Sequence, residues 1–359
     1  MSSKFVIIFL ASINFSIAQD SFESTNVKTE KIINHFIKKE NVPGMSVSIS
    51  YNDTLIFSKG FGYADIENKI IVDPSTTKFR IASITKTLTA ATIIKMSEQD
   101  LIDIDKSVYF YLDSLPKKQY DFTIKQVGGH VSGIKRIPSE EKISCDNIYN
   151  KKDFNRVFKN DDLLFKPLSK FSYSNYGYKL LGLLIEKVAN EDITSSHKKY
   201  ILNPLNLEGI IIDNGNYDEN SSKFYLYKDN DFSIAPCLDC TFKYASGCYL
   251  STSEDLVKFG NSFLFINRLL NKESLLQLIT SQKLSDKKKT GYGFGFTSTK
   301  DINGNFFYGH NGGYDSSRSS MRIYPESKLV IVILINMRID DIDNLASKIS
   351  CLYINKMNK

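Results

Sequence analysis

The apolar run from 330 to 335, Val-Ile-Val-Ile-Leu-Ile, constrains the fold more than any other part of the chain. A strand that is apolar at every position leaves neither face for water, so this one is expected inside a sheet with helices on both sides. Residues 306 to 308 and 319 to 324 also have strand composition, and the pattern from 340 to 356 predicts a closing helix.

A second strand pair is predicted near the other end of the chain. From Met45 to Tyr51 apolar residues alternate with serine, Asn52-Asp53 forms a turn, and residues 54 to 57 return as an antiparallel partner. Residues from about 110 to 235 show no strand periodicity and contain helical stretches, the clearest from 178 to 189. The sequence therefore predicts an α/β fold: an antiparallel sheet built from both chain ends, covered by helices on both faces, with a mainly helical region inserted.

Composition sets the scale and excludes several classes of protein. With 359 residues, 42% of them hydrophobic and 12% aromatic, the chain can bury a large core, and residues 19–359 are expected to form a single catalytic domain. Its sheet region is placed at about 25–110 and 240–359, and its helical insert at about 111–235. The 46 Lys and Arg are scattered among 40 Asp and Glu, which argues against nucleic-acid binding. Four histidines and five cysteines contain no HExxH and no second CxxC, so no metal site is predicted.

The first eighteen residues have the pattern of a signal peptide. Lys4 precedes an apolar run that ends in Ser16-Ile17-Ala18, and the mature protein is expected to begin near Gln19 as a periplasmic or secreted protein. The alternative is an N-terminal anchor, although the run is too short to span a bilayer. No other stretch is apolar enough for a membrane span. Cys237 and Cys240 are interpreted as ordinary thiols or a structural bridge.

Ser83 and Lys86 form the first motif whose residue types and spacing point to catalytic chemistry. An apolar helix starts at this serine, and because positions i and i+3 share a helix face, the lysine ammonium can approach the serine hydroxyl. The first turn also offers free backbone N–H groups to the atom that the serine attacks. Seven other serines have a lysine three residues on, so the spacing alone is weak, but none of them opens a long apolar helix.

Two further elements follow in order. Tyr173-Ser174-Asn175 leads into a helix, and His310-Asn311-Gly312-Gly313 comes just before the final strands. Together with Ser83-x-x-Lys86 they resemble the serine β-lactamase and penicillin-binding-protein superfamily, in particular its class C branch with related esterases and D-aminopeptidases. The resemblance runs from about residue 27 to 356, and the segment from 224 to 252 is also similar to the mitochondrial serine β-lactamase-like members found in animals.

The resemblance implies a role for each motif residue and no cofactor. Ser83 would be the acylated nucleophile, Lys86 would help to activate it, and Tyr173 would be a general base and later an acid, its phenol pKa lowered by neighbouring cations. Which of Lys86 and Tyr173 takes the serine proton is left open. The substrate would be bound by the remaining motif residues: Asn175, His310, Asn311 and Gly312. The backbone N–H groups of Ser83 and Gly313 would form the oxyanion hole.

Departures from the family pattern limit the substrate. His310 replaces a lysine and weakens the positive charge that holds a β-lactam carboxylate near neutral pH. Lys289-Thr290-Gly291 spells the family's third motif, but an extra hairpin follows it, whereas two strands and a helix follow His310. Tyr314 is bulky, Leu168 stands where glycine is usual, and Arg318 is either a replacement charge or a surface residue.

These features predict an exported serine hydrolase that cleaves an amide or ester bond through an acyl-enzyme at Ser83. It would be peptidase-, D-aminopeptidase- or esterase-like, with weak β-lactamase activity also open. The partner would be a small-molecule or peptide substrate, and the oligomeric state is left open. The alternative is a catalytically silent binding or scaffold protein of the same fold.

Overall fold

The structure, a computed structural model, describes residues 3–138, 151–215, 217–236 and 243–358, with side chains described from residue 21 onwards except at 151–153. Cys237 and Cys240 lie outside this part of the chain. Residues 3–20 are described only as part of a helix, so the signal peptide at residues 1–18 stays a prediction.

The strands of the fold are β1 (Gly44–Tyr51), β2 (Thr54–Asp65), β3 (Ile70–Ile71), β4 (Phe79–Arg80), β5 (Ile211–Ile212), β6 (Tyr225–Lys228), β7 (Asp231–Ile234), β8 (Tyr249–Ser251), β9 (Thr297–Lys300), β10 (Phe306–Tyr314), β11 (Ser317–Tyr324) and β12 (Leu329–Ile335). Seven of them form a central antiparallel sheet, in the order β3-β2-β1-β12-β11-β10-β9. Since β1 pairs with β12, the predicted sheet built from both chain ends is confirmed.

Strand β12 is the central strand that its composition predicts. Every residue in it is buried, and alternate side chains enter two separate cores. Val330, Val332 and Leu334 pack on one face of the sheet, while Ile331 and Ile333 pack on the other. Burial of each such side chain stabilises the fold by roughly 1.5–3 kcal/mol, so a strand that fills both cores can only be central.

Helices cover both faces of this sheet. They are α1 (Ser3–Glu40), α2 (Thr85–Ser97), α3 (Val108–Tyr111), α4 (Ile124–Gly128), α5 (Lys151–Asn160), α6 (Asn175–Ala189), α7 (Ile193–His197), α8 (Asn203–Leu205), α9 (Ser253–Asn261), α10 (Lys272–Ile279) and α11 (Ile342–Met357). Helices α1 and α11 contribute to one core, and α2, α6 and α9 to the other. Among the described residues, no helix combines the length and apolar character that crossing a membrane requires.

The mainly helical region predicted at about 111–235 also contains three short strands near its C-terminal end, of which β5 pairs with β8. Strands β6 and β7 pair there as an antiparallel hairpin. Asp229 and Asn230 join them with φ values of 53° and 63°, the left-handed conformation of a two-residue hairpin turn. The two strands are only four residues each, too short for alternation to be recognised.

Candidate active site

Ser83 lies in a tight turn between a strand and the buried helix α2. The turn, a 3₁₀ helix from Ala82 to Ile84, follows β4 and leads directly into α2. Ala82 has a φ of 46°, a left-handed conformation that is uncommon for a residue with a side chain. Such conformations cost of order 1–3 kcal/mol and persist only where the surrounding structure holds them, so the position of Ser83 is tightly determined.

Lys86 is fully buried beside the serine, as the i, i+3 spacing predicts. Its Nζ lies 3.2 Å from Ser83 Oγ, within hydrogen-bond distance, and donates to the backbone carbonyl of Ser246 at 2.7 Å. No carboxylate within the described residues forms an ion pair with it. Burial, assisted by the positive charge of Arg136, lowers the pKa of Lys86 well below its ordinary value of 10.5 and so favours the neutral amine.

Tyr173 lies over the same lysine. The centroid of its ring is 4.9 Å from Lys86 Nζ, and its buried hydroxyl, which faces Ser83, forms no hydrogen bond of normal geometry within the described residues. Burial raises the pKa of Tyr173, so the lowered pKa that the resemblance implied is wrong. The offsetting effects of Ser83 and Arg136 are smaller than the cost of placing a phenolate among the rings of His130 and Tyr292.

Ser83 opens into a cleft of about 670 Å³. Asn175, at the first position of α6, lines it, and the buried Oδ1 atom of this residue has no hydrogen-bond partner in the described part of the chain. Gly313 also borders the cleft. The structure therefore brings together Ser83, Lys86, Tyr173, Asn175 and Gly313.

Strand β10 carries the third motif and approaches the Ser83 turn closely. A Cβ atom at Gly312 would lie 2.2 Å from the Ile81 carbonyl oxygen, so only glycine allows this approach. Asn311 points to the opposite face of the sheet, where its amide donates to Asp343 at 2.8 Å. The structure therefore does not bring the Asn311 side chain to the cleft, because neighbouring residues in a strand face opposite sides.

His310 is buried beneath the site as a neutral side chain. Its Nδ1 donates to the Asn311 carbonyl, which can only accept, so Nε2 accepts from the Tyr292 hydroxyl at 2.9 Å. Burial is the main cause that lowers the pKa of His310 to about 3. The histidine therefore supports the floor of the site and supplies no cation for a substrate carboxylate.

His310→Ala is expected to lower activity by about ten-fold or more, because it leaves the Tyr292 hydroxyl without its partner and opens a void beside Lys86 and Tyr173. Lys289→Ala is the matched control. Lys289 is exposed and does not line the cleft, so its loss should change kcat/KM by no more than about three-fold. Steady-state kinetics on a reactive ester would compare the two variants, and the reverse ranking would assign the third motif to Lys289.

Three groups of the site were missed at the level of sequence. The Arg136 side chain lines the cleft and makes no ion pair within the described residues, and no pattern around it indicated this. Tyr292 supports His310, and the Ser246 carbonyl holds Lys86. Both lie in glycine-containing segments, Ala-Ser-Gly and Tyr-Gly-Phe-Gly, and these segments were the available sequence signal for the two groups.

A serine at the start of a buried helix, a lysine one turn later and a tyrosine above it, all against an antiparallel sheet, define the class of serine enzymes with the β-lactamase and transpeptidase fold. The family model described as Beta-lactamase matches residues 29–344, and the chain belongs to this family. Family and fold are those of serine hydrolases.

Known relatives and structures agree with this class. The chain is 28% identical over 310 residues to the human mitochondrial serine beta-lactamase-like protein LACTB, covering 67% of this chain and 56% of that protein. It is 27% identical over 336 residues to protein flp of Staphylococcus aureus, covering 91% of this chain and 66% of flp. The octameric penicillin-binding protein homologue from Pyrococcus abyssi superimposes with a TM-score of 0.78 at 25% identity, covering 92% of this chain and 76% of the homologue. The chain thus spans little more than half the length of human LACTB.

Proposed function

We propose that this protein is a serine hydrolase that cleaves an amide or ester bond through an acyl-enzyme at Ser83. The observation that carries the proposal is the state of Lys86: a buried amine with a lowered pKa, 3.2 Å from Ser83 Oγ. A neutral amine has a lone pair and can accept the serine proton, which an ordinary surface lysine cannot do at neutral pH. A binding or scaffold protein has no need for such a group.

In the proposed acylation, Lys86 removes the proton from Ser83 Oγ while this oxygen forms a bond to the substrate carbonyl carbon. The negative charge on the carbonyl oxygen is stabilised by the backbone N–H groups of Ser83 and Gly313. The bond to the leaving nitrogen or oxygen then breaks. Tyr173, whose raised pKa keeps it protonated, donates its proton to the leaving atom and is reprotonated from Lys86.

In deacylation Lys86 removes a proton from water as the water oxygen bonds to the acyl carbon. The bond from this carbon to Ser83 Oγ then breaks, and Ser83 Oγ takes a proton from Tyr173, which is reprotonated from Lys86. Asn175 holds the substrate amide or carbonyl through its unpaired side-chain oxygen and its amide group. Peptides, D-amino-acid amides and carboxylic esters are the proposed substrates. β-Lactams are the weaker class because His310 is neutral.

The decisive experiment exposes the purified protein to a fluorophosphonate probe and, separately, to a labelled penicillin, followed by intact mass and peptide mapping. We expect one fluorophosphonate adduct on Ser83, with slower or no labelling by the penicillin. Absence of any adduct on a folded protein would contradict the proposal and favour the silent scaffold.

We also propose that the chain is exported and that residues 1–18 are removed. Among its relatives, flp comes from a bacterium whereas LACTB is described as mitochondrial, so the comparisons support no single compartment. N-terminal sequencing of the protein from its native host should find a start at or near Gln19 in the periplasmic or secreted fraction. An intact Met1 on a cytosolic protein would overturn the prediction.

A further inference from the structure

The turn at residues 245–247, here called the Lys86 turn, accepts hydrogen bonds from three side chains. The consecutive carbonyls of Ala245, Ser246 and Gly247 accept hydrogen bonds from Thr89 Oγ1 at 2.8 Å, Lys86 Nζ at 2.7 Å and the Tyr314 hydroxyl at 2.9 Å. Thr89 and Lys86 lie on the same face of α2, whereas Tyr314 ends β10. The turn is thus clamped between the helix that follows the nucleophile and the strand that carries the third motif.

The Ser246 carbonyl determines where the lone pair of Lys86 points. A neutral amine has two N–H bonds and one lone pair, and a carbonyl oxygen can only accept. One N–H of Lys86 is therefore committed to Ser246, which limits rotation of the amine and leaves the lone pair free to face Ser83 Oγ. Displacement of this carbonyl would misdirect the base, even with Ser83 and Lys86 unchanged.

Tyr314 is fitted to this turn from the strand side. A Cβ atom at Gly247 would lie 2.6 Å from the Tyr314 hydroxyl, so glycine is required for the tyrosine to reach the carbonyl. The same hydroxyl lies 3.5 Å from Cys248 Sγ. Tyr314 directly follows Gly313, which places it at the junction of the Lys86 turn and the strand that borders the cleft.

We propose that Tyr314 is a positioning residue: its hydroxyl holds the Gly247 carbonyl and, through the turn, the Ser246 carbonyl that orients Lys86. This inference rests on the proposed function, since it assumes that Lys86 accepts the serine proton. Thr89 acts in the same way from the helix side, through Ala245. Neither residue touches the reacting atoms.

Tyr314→Phe tests the proposal because it keeps the ring and removes only the hydroxyl. On a reactive ester we expect kcat to fall about ten-fold with KM changed by less than about two-fold, because the base is misdirected while the ring at position 314 still lines the cleft. We also expect the acid limb of the pH profile to move to higher pH. A loosened turn admits water, which relieves the burial that lowers the pKa of Lys86.

Tyr308→Phe is the matched control, since Tyr308 lies on the same strand and its buried hydroxyl also donates to a carbonyl, that of Phe263, at 2.9 Å. Its loss should lower the melting temperature without moving the acid limb.

Thr89→Val should shift the acid limb in the same direction as Tyr314→Phe. Thr89→Ser keeps the hydroxyl and should leave the acid limb at its wild-type position. If Tyr314→Phe keeps the wild-type kcat and acid limb, or changes only the melting temperature as the control does, the positioning role is wrong while the proposed function stands. If wild-type protein shows no Ser83-dependent turnover, the proposed function fails, and this inference fails with it.

Discussion

Ser83→Ala is expected to abolish fluorophosphonate labelling and to lower turnover of the best ester by at least about a thousand-fold, because only binding and the oxyanion hole would remain. Stopped-flow or steady-state assays on a reactive ester would measure the loss, and intact mass would measure the labelling. A β-lactam should be assayed in parallel, since a site with neutral His310 can accept the ester and ignore the lactam.

Ser75→Ala is the matched control for this variant. Ser75 also has a lysine three residues on, Lys78, but the serine is bound to Asp73 and the lysine is paired with Asp218. Its loss should leave labelling and turnover unchanged. An undiminished rate in Ser83→Ala would place the chemistry elsewhere or reveal a contaminating enzyme.

Lys86→Met is expected to cost nearly as much as the serine substitution, because the serine proton then has no acceptor. Tyr173→Phe should also be severe, since the leaving group then has no proton donor. Because the proposed mechanism requires all three side chains, the triple variant should be little worse than the worst single variant. Effects that multiply across Ser83, Lys86 and Tyr173 would contradict this coupling.

The pH profile identifies which group is the base. Wild-type activity should fall about ten-fold per pH unit below the lowered pKa of Lys86, because the protonated amine cannot accept the serine proton. His310, with a pKa of about 3, should add no transition near neutral pH. An activity that rises only as a tyrosine ionises, far above neutral pH, would assign the base to Tyr173.

Much of the fold could be predicted because it depends on local patterns. Residues 330 to 335 are apolar on both faces, and a strand of this kind is stable only between two cores, which is where β12 lies. Alternation from Met45 to Tyr51 predicted a strand with residues 54 to 57 as its antiparallel partner, which the pairing of β1 with β2 confirms. The short hairpin of β6 and β7 escaped because strands of four residues carry too little periodicity.

The candidate site also has a part that local sequence predicts and a part that it does not. Helix geometry alone brings residues three apart onto one face, so the approach of Lys86 to Ser83 follows from their spacing. The direction of Asn311 did not follow from its motif, since it depends on which face of β10 meets the nucleophile turn.

The sequence by itself determined the individual strands at both chain ends, the buried helix that follows Ser83 and the approach of Lys86 to Ser83, because each depends on residues that are close along the chain. Only the tertiary structure decided the protonation of the site and the group that orients the lysine. Ser246 is 160 positions from Lys86, and no local pattern encodes that contact. Burial then raises the pKa of Tyr173 and lowers that of Lys86, since the packed interior disfavours the charged form of each.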